Sequence, residues 1–268
     1  MAFENNYTLG RGRIYFARRD ALGRLGGERY LGNTPEFNVN FESETLDHFS
    51  SDRGIREKDE SVILQINRTG SLTTDNINPE NVALFFFGSE ESLTVAQTTV
   101  TDEQVGVTGV GVELGMFYQL GSTANNPSGA RGVIFPGASV TLFELKKGAT
   151  VLVAGTDYVV DAALGRVEIL ETSTTVENGD VLTATYTVAA STRQRIISGS
   201  NPIEGALRFV ATNPTGKNID YYMSSVKLSP NGDYALKSDE WQQIPFNVEI
   251  LKPEASEAVY ADGRAVTA

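Results

Sequence analysis

The sequence predicts a mainly β protein of antiparallel strands, with one short helix and a β-rich insertion. Three observations predict it. Apolar and polar residues alternate with period two over five separate stretches. Those stretches are rich in Val and Thr, which suit a pleated surface. Only one segment carries both the start and the stop signals of a helix.

The first strand of the set holds Phe37, Val39 and Phe41 on one face and Asn38, Asn40 and Glu42 on the other. In the second, Val62, Leu64 and Ile66 share a face opposite Gln65 and Asn67. Leu182, Ala184, Tyr186 and Val188 alternate with three threonines; Leu207, Phe209 and Ala211 form a fourth set, and Phe246, Val248 and Ile250 a fifth. Successive strand side chains point to opposite faces, so each set predicts a half-buried antiparallel strand. Asn178-Gly179-Asp180, Asn231-Gly232-Asp233 (read as a hairpin turn), Gly26-Gly27, Gly129 and Gly132 punctuate them.

Ser43 to Glu60 reads as a long polar connection between the first two strands. Connections of that length are functional or disordered, yet Leu46, Phe49 and Ile55 are apolar residues that a disordered linker disfavours. Two readings stay open: burial of those residues against another subunit, or an Ω-loop packed on its own domain. The predicted helix covers about 78–88. Asn78 caps it, Pro79 suits its first position, Val82, Phe85 and Phe86 share a face, and Gly88 ends it. Beyond it the composition shifts. Residues 89–113 are rich in Thr, Val and Gly, 123–132 read as an exposed loop, and short strands with tight turns run from about Gly137 to Ala190. The expected organisation is a discontinuous domain, 1–88 plus 193–268, interrupted by a β-rich insertion, 89–192.

Composition excludes several functions. The 268 residues carry a formal charge of −12, which opposes gripping phosphate backbones or anionic membranes. There are no cysteines and one histidine, so thiol chemistry and His-rich metal clusters are excluded within one chain. The opening residues lack the basic and apolar regions of a signal peptide, which predicts folding in a cytoplasm. The longest apolar run, Val82–Phe87, is far too short to span a membrane.

Searches for chemistry find little. His48 lies near Ser50, Ser51, Asp47 and Asp52, but no nucleophile elbow accompanies it, and a solvated or interface histidine is the plainer reading. Gly216-Lys217 lacks the rest of a phosphate loop, and Gly10-Arg11-Gly12 and Gly109-Val110-Gly111 read as turns. The acidic groups Glu90-Glu91, Glu57/Asp59/Glu60 and Asp239-Glu240 sit in polar, turn-like settings. Arg11, Arg13, Arg18, Arg19 and Arg24 form a basic stretch better suited to an acidic neighbour than to nucleic acid. The expectation is a protein without catalysis and without a cofactor or metal.

Three segments together resemble the major tail tube proteins of long-tailed, siphovirus-type bacteriophages. They are Gly27–Phe37 leading into Glu42–Asp59, Asn67–Asn76 followed by Asn78–Gly88, and Glu204–Gly216 followed by Val226–Gly232 and Asp239–Phe246. The stretches Gly155–Asp161 and Asp180–Tyr186 resemble small β modules of phage structural proteins. The resemblance implies an antiparallel β-sandwich or partial barrel, homo-hexameric rings stacked into a hollow tube, and DNA passing through the lumen during ejection without specific binding. It implies a tape measure protein and a tail terminator as partners, and a place in the virion tail after assembly in the host bacterial cytoplasm. In that family the long early loop bridges stacked rings. The implied inter-ring contacts are therefore Leu46, His48, Phe49, Arg53, Ile55, Arg56, Glu57 and Lys58. Asn38, Asn40, Glu42, Gln65 and Asn67 are the candidate lumen-facing residues, and the insertion is expected outside the tube. The alternative is a monomeric or trimeric β-sandwich adhesin or carbohydrate-binding module; a glycosidase is a third reading, requiring two carboxylates in one cleft.

Overall fold

The computed structural model describes residues 6–52, 54–134 and 143–265. In chain order the elements are β1 (Gly12–Arg18), β2 (Arg29–Tyr30), β3 (Glu36–Ser50), β4 (Glu57–Thr74), α1 (Pro79–Phe85), β5 (Ser89–Val95), β6 (Thr98–Val105), β7 (Phe117–Gln119), β8 (Val133–Ile134), β9 (Phe143–Lys147), β10 (Thr150–Val151), β11 (Tyr158–Asp161), β12 (Arg166–Ile169), β13 (Leu182–Val188), β14 (Ser191–Ile197), β15 (Ile203–Ala211), β16 (Ile219–Pro230), β17 (Ile244–Ile250) and β18 (Val259–Gly263). The fold is mainly β and antiparallel, with one helix among the described residues. The chain divides into two compact units, 1–91 with 194–268, and 92–193. The chain leaves the first unit along β5 and re-enters it along β14, and these two strands pair with each other. The strands expected from Gly137 onward begin in residues 135–142, which lie outside the described residues.

The first unit is an eight-stranded sheet in the order β2-β1-β15-β16-β17-β4-β3, with β18 pairing the other half of β16. One face is apolar. Phe37, Leu72 and Phe246 are register partners across β3, β4 and β17, and Leu72 and Phe246 are fully buried. Helix α1 packs here. Asn78 accepts from the Asn81 N–H at 2.7 Å, capping a helix that opens on Pro79.

The helix is shorter than the predicted 78–88. Asn81, Ala83 and Leu84 are its buried residues, Val82 and Phe85 pack half-buried against the same core, and Phe86 is 39% exposed. The stop also differs. Phe87, not Gly88, takes the left-handed conformation, at φ 54. Its N–H donates to Leu84 O and the Gly88 N–H to Ala83 O, closing the last turn. Gly88 is required for another reason: a Cβ there would lie 1.9 Å from the carbonyl oxygen of Ile197. Nor is Asn231-Gly232-Asp233 a hairpin turn. It opens a long connection, 231–243, between β16 and β17.

The second unit packs a five-stranded sheet, β10-β9-β13-β6 with β8 on β13, and a three-stranded sheet, β11-β12-β7, around one core. Leu145, Leu182, Ala184, Val167 and Ile169 are fully buried in it. The Tyr186 hydroxyl, inside this core, donates to the Glu103 carboxylate, which also accepts from the Gly121 N–H at 2.9 Å. Asp157 is 2% exposed and accepts from Val153 N at 2.8 Å and Ser173 Oγ at 2.7 Å. Burial alone pushes its carboxyl up, but these hydrogen bonds outweigh burial and hold it below 3.8. A hydrogen bond from Lys147, then one from the Glu177 N–H, hold Asp180 down likewise. Depressed carboxyls stabilise the fold above pH 3.8 and lose that contribution as pH falls through their folded values. The second unit should therefore lose stability steeply below about pH 4, and Asp157→Asn should flatten that dependence. Thermal melts followed by circular dichroism between about pH 2.5 and 6 check this; parallel pH profiles for variant and wild type would contradict it.

Candidate functional site: a two-stranded arm and a polar sheet face

The segment predicted as a long connection is a hairpin. Ser43–Ser50 continue β3, Glu57–Glu60 begin β4, and the two strands stay paired from Glu36↔Thr73 out to Ser50↔Glu57. That pairing corrects the expectation of a long connection and overturns the Ω-loop. The turn itself is short, and Ile55 and Arg56 lie in it; Arg53 lies outside the described residues. Alternation in the outer part is hard to read because the register shifts twice, between Glu44 and Thr45 and between His48 and Phe49.

The hairpin outreaches its sheet. Strand β17 pairs β4 only along Thr69–Thr74. From Phe41↔Arg68 outward, β3 and β4 pair only with each other. Ten residues of β3 at about 3.3 Å each make an arm of about 33 Å. The expected half-burial of Phe41, Val62, Leu64 and Ile66 fails there: all four are exposed, as is Ile63, and Val39, within the sheet, is 40% exposed. No second layer reaches them. Leu46 is 62% exposed and Ile55 75%.

Polar contacts organise the outer arm. Lys58 Nζ lies 2.6 Å from the Asp47 carboxylate, which also accepts from Ser61 Oγ at 2.8 Å. Hydrogen bonds from Lys58 and then Ser61 hold Asp47 below the usual carboxylate range. His48 Nδ1 meets Asp59 Oδ1 at 2.6 Å, and no described serine hydroxyl bonds to the ring. The Arg56 guanidinium stands 4.7 Å from the centre of the Phe49 ring. Leu46, His48, Phe49 and Lys58 are thus on paired strands, and Glu57 faces Ser50.

The structure brings the five polar candidates together. Asn38, Asn40 and Glu42 share one face of β3; Asn67 is the register partner of Glu42, and Gln65 that of Glu44. Asn40 donates to Glu42 at 2.8 Å, and Gln65 to Asn67 at 2.6 Å. The same face continues across the sheet, a feature sequence reading missed because it needs the strand order. One row is Asn38, Ser71, Asn247 and Ser229; the next is Asn40, Thr69, Glu249, Lys227 and Glu204. Glu36, Glu42 and Glu44 add charge, so acids outnumber the single lysine along these rows, while Arg208, farther along the same face of β15, is paired with Glu28.

Other candidates resolve into ordinary contacts. In the basic stretch Arg24 meets an acid of its own chain, Asp20, at 2.8 Å, and Arg18 and Arg19 donate to carbonyls. Glu91 accepts from Arg195 at 2.6 Å. Among the described residues no cluster of His, Asp and Glu has the makings of a metal site.

The model of a family described as "Protein of unknown function UCP028589" matches residues 7–261. The chain belongs to that family. The match takes in both compact units, so the inserted unit is part of the family's common length. No curated protein matches the chain.

Proposed function

We propose that this member of the UCP028589 family is the repeating structural subunit of a bacteriophage tail tube. Six copies form a ring, rings stack into a hollow conduit, and DNA passes through it during ejection. The observation that carries the reading is the arm. A lone two-stranded hairpin is marginally stable in water, and this one exposes apolar residues along its whole length. Such a surface calls for a partner, and copies of the same chain satisfy both the apolar residues and the free edges of β3 and β4. The arm's outer contacts, Leu46, Phe49 and Ile55 with Arg56, Glu57 and Lys58, then bridge successive rings.

The polar sheet face supports the conduit. Asn38, Asn40, Glu42, Gln65 and Asn67 line the lumen in this reading, and six copies at −12 place −72 formal charges on each ring. A wall of like charge repels DNA and keeps it sliding. The second unit, 92–193, decorates the outside of the tube. A tape measure protein fills the lumen and a terminator ends the tube, as the sequence resemblance implies, and the subunit performs no catalysis and needs no cofactor. Its place is the virion tail, after assembly in the host cytoplasm. Negative-stain microscopy of concentrated purified protein tests this: rings or tubes are expected, and small separate particles at every concentration would refute it.

A further inference from the structure

The connection 231–243 carries the chain's one tryptophan, Trp241, which is 93% exposed, and Leu236, which is 76% exposed. An indole so open to water displays a large apolar surface that burial would stabilise. The loop is pre-formed. Ser238 Oγ donates to Glu240 O at 2.8 Å, and Gln242 Nε2 to Ala235 O at 2.9 Å. Asp239 and Glu240 directly precede the indole and outnumber Lys237, so the knob is apolar with a net acidic shoulder.

The same unit contains a matching hollow. A groove of about 770 Å3 is lined by Ile14, Phe37, Val39, Phe209, Tyr221 and Met223. Ile14 and Met223 are buried, while Val39 and Tyr221 are about two-fifths exposed at the mouth. Arg11 also lines it, and its guanidinium bonds only the neighbouring Gly10 carbonyl, at 2.9 Å, with no ion pair among the described residues. The groove's one acid, Glu36, accepts from Asn38 at 2.6 Å.

We infer that Trp241 of one copy seats in this groove of a second copy, with Asp239 and Glu240 meeting Arg11. The inference rests on the self-assembly reading and names a contact within it. The guanidinium of Arg11 is opposite in charge to Asp239 and Glu240, the groove's apolar wall complements the indole, and the groove is larger than an indole. Knob and hollow are different surfaces of one chain, so the contact is head-to-tail, the kind that closes into a ring or extends a filament.

Intrinsic fluorescence tests this, because Trp241 is the only emitter of its kind. As light scattering rises with concentration, the emission should shift to the blue and lose access to acrylamide in step. Trp241→Ala should keep the fold and raise the concentration for half-assembly at least about tenfold, as for a buried aromatic anchor. Arg11→Glu should weaken assembly, and combining it with Asp239→Arg and Glu240→Arg should restore it. Assemblies in which Trp241 stays quenchable would overturn this contact and leave the self-assembly reading standing. Absence of assembly at all concentrations would overturn both. A blue shift with no change in particle size would place the indole in its own chain's groove and refute the contact between copies.

Discussion

Replacing Leu46 and Phe49 together by serine should leave a folded protomer that no longer forms long assemblies. Leu46 is 62% exposed and Phe49 36%, so neither supports the core of its own chain. Surface substitutions of this kind change protomer stability by about 0.5 kcal/mol or less each. Phe49→Ser also removes the ring beneath Arg56, a contact worth about 0.5–1 kcal/mol at an exposed site. Burying a leucine or phenylalanine at a contact between copies yields about 1.5–3 kcal/mol each. Losing both raises the assembly concentration by about a hundredfold or more, at 1.4 kcal/mol per tenfold. Asp47→Ala with Lys58→Ala should matter far less, because solvent screens an ion pair this exposed. Sedimentation and electron microscopy read the assembly, and circular dichroism the fold. Tubes of normal length from the Leu46→Ser, Phe49→Ser protein would remove the arm from the assembly contact.

Most strands that sequence alone made legible lie in a sheet with one face covered; 62–66 alternates and reads as a strand although both its faces are exposed. Leu182, Ala184 and Tyr186 alternate with threonines because β13 has core on one side, and Phe246, Val248 and Ile250 alternate because β17 does. Sequence boundaries for the insertion were set at 89 and 192, and the compact units divide at 92 and 193. The outer arm was illegible for a physical reason. Period-two patterning records burial of one face, and residues 43–50 and 57–60 bury neither face within the protomer. Two register shifts then scramble what alternation remains. Individual polar candidates such as Asn40 and Asn67 were legible by alternation, whereas their alignment with Asn247, Glu249 and Lys227 depends on pairings between strands far apart in sequence. The helix was legible in part: its N-cap Asn78 and the core-packed Val82 and Phe85 follow from spacing and chemistry, but spacing also favoured the exposed Phe86 over a buried asparagine.

That asparagine should be among the most sensitive positions of the first unit. Asn81 is fully buried. Its Nδ2 donates to Leu31 O and to Asn76 O, both at 2.8 Å, and its Oδ1 accepts from Arg29 at 2.8 Å. One side chain thus ties α1 to the segment after β2 and to the turn before the helix. Asn81→Leu keeps the branched shape and raises helix propensity but removes three hydrogen bonds: Leu31 O keeps only Thr74 Oγ1 at 3.2 Å, Asn76 O keeps only the Asn78 N–H at 3.1 Å, and the Arg29 guanidinium loses this acceptor. Each neutral hydrogen bond lost costs about 0.5–1.5 kcal/mol and the one from the charged guanidinium about 1.5–3 kcal/mol, and partial hydration of the half-buried Arg29 offsets some of it. A net loss of about 3 kcal/mol corresponds to a melting temperature about 6–12 °C lower for a unit of this size. Phe86→Ser, on the face favoured by spacing but 39% exposed, should shift melting much less. If Phe86→Ser proved the more damaging of the two, the helix would be held by its aromatic face after all, and the hydrogen-bonded Asn81 would be a passenger rather than the tie.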